Sequence, residues 1–373
     1  MPENKRFYNS KTFRFLLVFS IFCTFGLNNA FADHQTEGVA EEMHATEAHA
    51  EGETAKPTKF EPGKMILEHV KDGYGWHLWG TTTIPLPMII YSKSKGLQVF
   101  SSGHFGHNPH YEVYNGYTLN HESKLVSEDP AENFYDFSIT KNVLALLIGS
   151  SLLLIIFLSV ARSYTKRQGQ APKGLQSLVE PLIIFIRDEV AGPSIGPKAY
   201  KFVPFLLTIF FFIFINNLLG LVPIFPGGAN LTGNIAITMV LALMVFVVTS
   251  FSGNKTYWKH IFMPDVPKGL WILLIPIEII GVVLKPFVLM LRLFANITAG
   301  HIIILGFFSL IFIFGEMNQY LGGGVGIFSV AFTTFMSVLE LLVAFLQAYV
   351  FTLLASLYIG AAVEEHHHAE DKH

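Results

Sequence analysis

The sequence predicts an all-α polytopic membrane protein with about five membrane crossings, one of them made by a long oblique helix, plus a small extracytoplasmic β-rich domain at the amino terminus. Three observations support this fold class. The composition is 51% hydrophobic and 14% charged, well below the roughly 25% charge of soluble domains. Apolar runs longer than about 18 residues recur after residue 140. Before that point, short apolar runs alternate with Gly, Pro and Asn, which is typical of strands and turns.

The amino terminus has the features of a secretory signal peptide. Residues 1–32 combine several Lys and Arg side chains, a short apolar run and the sequence AFA at residues 30–32. These are the parts of a cleavable signal, so the mature chain is expected to start outside the cytoplasm. The only cysteine, Cys23, lies within this segment. No disulfide is therefore expected in the mature chain.

Two regions precede the membrane part. Residues 33–58 are acidic, contain several histidines and have almost no large apolar side chains, which predicts a disordered tail. Residues 59–138 have the strand-like pattern and are predicted to form the extracytoplasmic domain. His104, His107 and His110 recur there every three residues. Without a helix or a neighbouring Cys or Asp to complete a ligand set, no metal site is predicted.

Residues 140–363 are predicted to form the membrane domain. Its first three spans are expected at residues 142–160, 202–222 and 235–251, because each is apolar and long enough to cross a bilayer. Residues 174–190 are interrupted by charged side chains. This segment suits a helix that lies in the membrane interface.

The stretch from residue 270 to residue 314 is too long for one perpendicular span. At about 1.5 Å per residue it extends roughly 67 Å as one helix, against a hydrocarbon core about 30 Å thick. It forms either two spans or one strongly oblique helix. The glycine-rich segment 316–326 has no cation and is predicted to be an external loop, which favours a single crossing. A last span at residues 327–362 then places the carboxyl tail, residues 364–373, in the cytoplasm.

The long apolar stretch contains ionisable side chains, each of which costs about 2.5–3.5 kcal/mol at the bilayer centre. Glu278, Lys285 and Arg292 are spaced seven residues apart, so they share one helix face. Asn296 lies one turn beyond Arg292 on that face. His301 points roughly the opposite way. One face therefore carries a permanent cation and the other a group that titrates near neutral pH, a pattern that indicates an ion path.

The last predicted span carries Glu340 and Gln347, which share one face. A buried carboxylate with no charged neighbour in its own helix either protonates or pairs with a cation elsewhere. His301 and Arg292 are the candidates at that depth. Gln347 suits a structural hydrogen bond as well as it suits a place on the path, and Lys285 suits snorkelling to the interface equally well.

Two segments resemble subunit a of F-type ATP synthases, the stator half of a rotary proton channel. They are LRLFANITAGH around Arg292, preceded by LKP, and ELLVAFLQAYVFTLLASLYIGAAVEEH near the carboxyl end. The apolar stretch around Asn217 is also similar to that family. The resemblance covers about residues 140–366 and leaves residues 33–135 unexplained.

The resemblance implies roles for individual residues in proton translocation. Arg292 would face the carboxylate of each passing rotor subunit, with Asn296 and Gln347 as its polar neighbours. Glu278 would lie on the path that opens to the cytoplasm, while Lys285 and Asn217 are secondary candidates.

His301 and Glu340 would lie on the path from the outside. Some bacterial members of the family have Glu at the position of His301 and His at the position of Glu340. The resemblance therefore implies that the acid–imidazole couple is kept with its members exchanged. The longer, glycine-rich link between Arg292 and Glu340 departs from the family and leaves the approach of the couple open.

The resemblance implies a non-catalytic subunit of the CF(0) sector in a bacterial inner membrane. Its expected partners are the rotor ring subunits, a peripheral-stalk subunit and the lipid bilayer, with no cofactor. An ion-coupled secondary transporter is the main alternative, but it predicts an internal repeat that the sequence lacks. Haem would need paired histidines at depth, where only His301 is found, and retinal on Lys285 would need seven spans. The net charge of −3 and the absence of a basic patch argue against nucleic acid.

Overall fold

A computed structural model of the chain describes residue 63 and residues 71–79, 82–105, 112–120, 124–130, 132–222, 228–264, 266–317 and 319–364. The predicted signal peptide at residues 1–32, the predicted tail at residues 33–58 and residues 365–373 lie outside the described residues. His107 and His110 lie outside them as well. Over the described residues the chain is mostly helical, and short strands are confined to residues 75–136.

The strands form three small antiparallel sheets. They are β1 (Gly75–Trp79), β2 (Thr82–Pro85), β3 (Pro87–Ser92), β4 (Gly96–Ser101), β5 (Tyr117–Leu119), β6 (Leu125–Ser127) and β7 (Phe134–Asp136). The sheet orders are β1-β2, β4-β3-β7 and β5-β6. Successive residues of β3 alternate between buried and more exposed positions, as expected for a strand with one covered face. Met88 and Ile90 of β3 join Phe105 and Tyr117 in a fully buried apolar core.

The carboxylate of Glu132 ties several of these strands together. It accepts hydrogen bonds from Ser92 Oγ at 2.7 Å, Lys95 Nζ at 2.8 Å and Ser127 Oγ at 3.1 Å. Ser94 Oγ donates to it at 2.8 Å. The bond from the Lys95 ammonium first, and those from the serine hydroxyls next, lower the pKa of Glu132 to about 2. The group therefore stays ionised, and stays an acceptor, in mildly acidic surroundings.

The strand region is joined to the first helix, α1 (Lys141–Lys166), by a double cap. Thr140 Oγ1 accepts a hydrogen bond from the backbone of the first turn. Asp72 Oδ1 accepts another from the Asn142 N–H at 3.0 Å. Both bonds satisfy N–H groups that the first turn of a helix leaves free, and a carboxylate suits the positive end of the helix dipole. Residue 72 is thereby fixed to the start of α1.

Within the described residues, five helical stretches are long and apolar enough to cross a membrane. The helices that follow α1 are α2 (Leu175–Phe185), α3 (Gly192–Ile195), α4 (Ala199–Leu221), α5 (Ile235–Ser252), α6 (Lys255–Phe262), α7 (Trp271–Met317) and α8 (Gln319–Val363). The helices predicted at residues 142–160, 202–222 and 235–251 are confirmed as α1, α4 and α5. A helix suits a bilayer because it satisfies its backbone hydrogen bonds internally.

The segment predicted to lie in the interface, residues 174–190, is helical but does not stand alone. α2 continues through a π-helical turn, Ile186–Ala191, and through α3 towards α4. The run bends at Gly196, where φ is +70°, a backbone conformation that glycine adopts without strain. Residues 175–221 consequently form one nearly continuous helical run, and its position relative to a membrane interface stays a prediction.

α4 lies at the centre of the helical region. Ile209, Phe210 and Ile213 are fully buried, and the helix packs against both α1 and α8. The rings of Phe210 and Phe214 meet Phe345 of α8 edge-on, with centroids 6.0 Å and 5.8 Å apart. A helix that is apolar on all sides is expected in such a buried position.

α7 and α8 form a long antiparallel hairpin. α7 is one uninterrupted helix, so the alternative of two spans at residues 270–314 is wrong. The loop predicted at residues 316–326 is also wrong, because α7 extends to Met317 and α8 begins at Gln319, while the external position of this segment stays a prediction. A glycine in a helix costs only about 1 kcal/mol, whereas an unpaired backbone group in lipid costs several. The three consecutive glycines are therefore accommodated within α8.

The half of the hairpin in which α7 ends and α8 begins is held by contacts between the two helices. Ser329 Oγ donates a hydrogen bond to the carbonyl oxygen of Phe307 at 2.9 Å. The ring of Phe307 packs against that of Phe332, with centroids 4.0 Å apart. These contacts keep α7 and α8 side by side beyond the region that α4 and α5 cover.

Candidate functional site

Arg292 and Asn296 lie on the exposed part of the α7 surface. Both side chains are exposed, as is Leu291 beside them. Leu289 and Leu293, about 60° and 100° from Arg292 around the helix, are each 1% exposed and belong to the core. The guanidinium group is therefore presented to whatever adjoins this side of the helix.

Glu340 of α8 lies against Gly300 of α7. Its side chain is 7% exposed, and a Cβ atom built on Gly300 would lie 2.6 Å from Glu340 Oε1. A larger residue than glycine at this position would displace the carboxylate. Among the described residues, the buried Oε1 atom has no hydrogen-bond partner. Because a buried polar atom without a partner is costly, the position suits a group that binds and releases a proton.

His301 follows Gly300 and reaches the end of α4. A Cβ atom built on Gly220 would lie 3.9 Å from His301 Nε2 and 3.4 Å from the backbone oxygen of Ala229. The lack of a side chain at Gly220 leaves room for the imidazole ring. Glu340 thus packs at Gly300, the residue next to His301, and His301 points roughly the opposite way from Arg292.

Asn217, one turn before Gly220, connects three elements. Its Nδ2 donates to the carbonyl oxygen of Ala344 in α8 at 3.2 Å, and its Oδ1 accepts from Thr232 Oγ1 at 2.6 Å. Asn217 and Thr232 are 4% and 1% exposed. Ala344 is one turn after Glu340, so these bonds fix the part of α8 that carries the carboxylate. The group formed by Asn217, Gly220, Gly300, His301 and Glu340 is called the His301–Glu340 cluster below.

A second polar group lies nearer the start of α7. Lys285 Nζ is 5.7 Å from the centroid of the Tyr358 ring in α8, a cation–π contact. Burial first, and the nearby charge of Glu278 second, raise the pKa of Tyr257 in α6, so the carboxylate lies near this phenol. A small cavity beside Lys285 is lined in part by Thr249, Tyr257 and Tyr358.

The two polar groups lie towards opposite ends of the helical region. The His301–Glu340 cluster adjoins the carboxyl end of α4, whereas the second group adjoins the carboxyl end of α8. There, Asn254 Nδ2 and Lys198 Nζ donate to the carbonyl oxygen of Val363 at 2.8 Å and 3.3 Å. Arg292 lies between them along α7, about 14 Å from His301 at 1.5 Å per residue. The polar residues therefore do not form one continuous line.

The exposed sides of α7 and α8 together form an apolar surface, called the open face below. Of the most apolar 18-residue stretch of residues 271–315, only 6% is buried. Exposed residues of this surface include Val283, Leu284, Phe287, Val288, Leu291, Val338, Leu341 and Leu342. A contiguous apolar surface of this kind marks a site of contact with a protein or with lipid.

The predicted site residues fall into separate groups. His301, Glu340 and Asn217 come together where α4, α7 and α8 converge, Arg292 and Asn296 lie on the open face, and Glu278 and Lys285 are half-buried nearer the start of α7. Gln347, expected beside Arg292, is 8% exposed and therefore faces inward from α8. The roles predicted for these residues remain predictions.

Sequence reasoning missed Gly220, Gly300 and Thr232. Gly300 offered one signal, because a glycine inside a helical pattern frequently has a packing reason. Gly220 carried the same weak signal. Thr232 carried none, because its partner is set by the path of the chain between α4 and α5.

Fold and site together define a multi-pass membrane protein with two separate polar groups and an exposed arginine between them. Such an arrangement is typical of a membrane subunit that translocates ions.

Comparisons with known proteins identify the family. Residues 143–360 match the family described as ATP synthase A chain, and residues 65–144 match a family described as a domain of unknown function. ATP synthase subunit a of Chloroherpeton thalassium is 45% identical over 64% of this chain and 71% of its own length. ATP synthase subunit a 2 of Chlorobaculum tepidum is 39% identical over 87% of this chain and 80% of its own length. The chain belongs to the ATP synthase subunit a family.

Proposed function

We propose that this chain is the stator subunit of the membrane sector of an F-type ATP synthase. It offers two offset proton half-paths to a rotating ring of carboxylate-bearing subunits, and so couples proton flow to ATP synthesis. Membership of the subunit a family supports this role and gives no support to the alternative of an ion-coupled secondary transporter. The observation that carries the proposal is the separation of the exposed Arg292 from the more buried His301–Glu340 cluster further along α7.

The outer half-path passes through the His301–Glu340 cluster. Glu340 Oε1 is buried without a hydrogen-bond partner among the described residues, and His301 is half-buried beside Gly220. An imidazole that titrates near neutral pH can pass protons to a neighbouring carboxylate. Asn217 keeps the carboxylate-bearing turn of α8 in place through its bond to Ala344.

The inner half-path passes through the polar group around Glu278. Glu278 lies near Tyr257, and Lys285 near Tyr358, beside the small cavity at this end of the bundle. These side chains form a polar route past the apolar helices for protons that the rotor has released. Lys285 holds its ammonium against an aromatic ring, which offsets part of the cost of a charge at this depth.

Arg292 separates the two half-paths. A rotor carboxylate that passes this guanidinium gives up its proton, because a nearby opposite charge favours the ionised form. It is reloaded only after it has moved to the other half-path, so net proton flow requires rotation. Each charge that crosses 100 mV supplies about 2.3 kcal/mol for this work. Asn296 and Gln347 act as polar neighbours of this passage.

The rotor ring packs on the open face, and a peripheral-stalk subunit holds the chain against rotation. Contact with the ring accounts for the low burial of α7, since the helix carries apolar side chains that no described part of the chain covers. α7 and α8 are each too long for a perpendicular crossing and so lie obliquely in the bilayer.

The orientation of the chain follows from its charged residues. Arg162, Lys166 and Arg167 follow the first span, and Lys255 and Lys259 lie in α6. Cationic connections stay in the cytoplasm, so this end of the bundle is cytoplasmic in a bacterial inner membrane. The strand region, at the other end, forms an extracytoplasmic domain after removal of a signal peptide.

ATP-driven proton pumping in inverted membrane vesicles tests the proposed function. Arg292→Ala is expected to abolish pumping while the complex still assembles, because a rotor carboxylate then has no cation to favour its ionisation. Arg162→Ala, which removes the same side chain from an exposed position at the end of α1, is the matched control and should pump normally. Pumping by assembled Arg292→Ala complexes would refute the proposal.

A further inference from the structure

Residues 228–234, the described part of the connection between α4 and α5, lie over the His301–Glu340 cluster. They are called the cover loop here. The backbone oxygen of Ala229 lies beside Gly220, which adjoins His301. Thr232 Oγ1 donates to Asn217 Oδ1 at 2.6 Å, and Thr298 Oγ1 donates to the carbonyl oxygen of Gly233 at 3.4 Å. The position of the cover loop therefore sets the surroundings of the cluster on both α4 and α7.

This loop is unusually well buried for a connection between two helices. Ala229, Leu231 and Thr232 are only 3%, 1% and 1% exposed, and Asn230 is 8% exposed. Connecting segments normally run over the surface and are variable in position. The low exposure of the cover loop means that other parts of the chain pack over it.

The strand region supplies part of that cover through Trp76. Trp76 of β1 is 3% exposed and forms one buried apolar cluster with Ala229 of the cover loop and Ala145 of α1. Ile84 of β2 and Leu144 of α1 pack against the same cluster. A tryptophan has a large apolar surface to bury, so the burial of Trp76 contributes strongly to the stability of this small cluster.

Trp76 is itself held in place from both sides. Gly73 accepts a hydrogen bond from the Lys141 N–H at 2.9 Å, and Asp72 caps the first turn of α1. Trp76 also pairs with Ile84 in the β1-β2 sheet. The indole thus lies where the strand region, α1 and the cover loop meet.

We infer that the strand region is a working part of the outer half-path, in which Trp76 is a positioning residue that clamps the cover loop over the His301–Glu340 cluster. The inference rests on the proposed function, because it takes the cluster to be the outer half-path. It assigns a role to the region that matches a family described as a domain of unknown function. Without the clamp, Asn217 and His301 lose their fixed surroundings, and protons from the outside reach Glu340 less readily.

The test uses membrane vesicles in which the complex has been assembled with the full-length chain and its catalytic sector then removed, with proton flow driven by a potassium diffusion potential. The pH on the outer side and the pH on the cytoplasmic side are varied separately. Trp76→Ala is expected to lower proton flow roughly 3- to 30-fold, the size of effect that indirect coupling between packed residues produces. It should also shift the midpoint of the dependence on outer pH and leave the dependence on cytoplasmic pH unchanged.

Three further variants separate positioning from general damage to the fold. Trp76→Phe keeps an aromatic ring in the cluster and should restore most of the flow and the native midpoint. Tyr135→Ala removes an aromatic side chain from the same region at a position that is 51% exposed, and should behave like the native chain. Ala229→Leu crowds the same contact from the cover loop and should shift the outer midpoint even if Trp76→Ala fails to assemble.

The inference is overturned if Trp76→Ala, or Ala229→Leu in its place, leaves the outer midpoint unchanged. It is also overturned if both pH dependences change equally, since that would indicate a general loss of structure. Arg292→Ala in the same vesicles reports on the proposed function separately. Loss of flow in Arg292→Ala with a native response in Trp76→Ala and Ala229→Leu would remove only the role of the clamp.

Discussion

α4 and α7 have almost the same mean hydropathy and opposite environments. Of the most apolar 18-residue stretch in residues 175–221, 67% is buried, against 6% in residues 271–315. Lipid tails are as apolar as leucine, so an apolar helix in a bilayer is not driven against protein by its hydropathy. The comparison teaches that composition identifies a spanning helix but does not say whether protein or lipid surrounds it.

The polar residues of the two helices differ in the same sense. On α4, Asn216 donates to the carbonyl oxygen of Phe212 at 2.7 Å, and Asn217 bonds to both α8 and the cover loop. On α7, Arg292 and Asn296 are exposed on the open face. The asparagines of α4 therefore stabilise the fold, whereas Arg292 and Asn296 of α7 stay accessible on the open face.

The sharpest test of the comparison makes the same substitution on both helices. Phe210→Ala should lower the free energy of unfolding by about 3–5 kcal/mol, because it opens a cavity in a fully buried position. Phe287→Ala, at a position 49% exposed on the open face, should change it by no more than about 0.5 kcal/mol in the isolated chain. Unfolding of the purified chain in lipid-containing micelles measures both, and equal losses would contradict the assignment of buried and open helices.

A smaller effect is expected from the buried amides. Asn217→Ala removes two bonds between elements and leaves the buried Thr232 hydroxyl without its acceptor, so it should cost about 1–3 kcal/mol. It should also lower pumping, because the turn that carries Glu340 is no longer held. Asn216→Ala is the control, since it removes one bond within its own helix, and should cost about 1 kcal/mol or less. Similar stability and pumping in the two variants would mean that Asn217 does not position α8.

The smallest effect on stability is expected from exchanging His301 of α7 and Glu340 of α8. His301→Glu and Glu340→His should each impair pumping, and the two together should impair it less than either alone, because the exchange restores one acid and one imidazole. If the two residues act as a couple, the interaction between the two positions should correspond to about 0.5–3 kcal/mol, the range found for coupled residues. Pumping in inverted vesicles measures it. Damage in the double variant equal to or greater than that of the single variants would show that the residues do not act as a couple.

Periodicity in the sequence predicted the helices and much of the site. The exposure of Arg292 and the inward position of His301 agree with the opposite faces expected from their spacing. It failed at the glycines near residue 322, where a loop was expected. Helix continuation there follows from the cost of leaving backbone groups unpaired in lipid, which exceeds the low helix propensity of glycine. It also did not identify Gly300, whose role arises from a residue 40 positions away.

The sequence by itself determined the membrane class, the approximate bounds of three spans, the sorting of charges on α7 and the family of the arginine motif. These properties depend on hydrogen bonds and periodicities within single helices, so they are readable from nearby residues. Only the tertiary structure decided that Glu340 rests on Gly300, that Asn217 joins α4 to α8, and that Trp76 lies against the cover loop. Those contacts join residues far apart in the chain, and nothing in the local sequence specifies which distant side chain fills a given space.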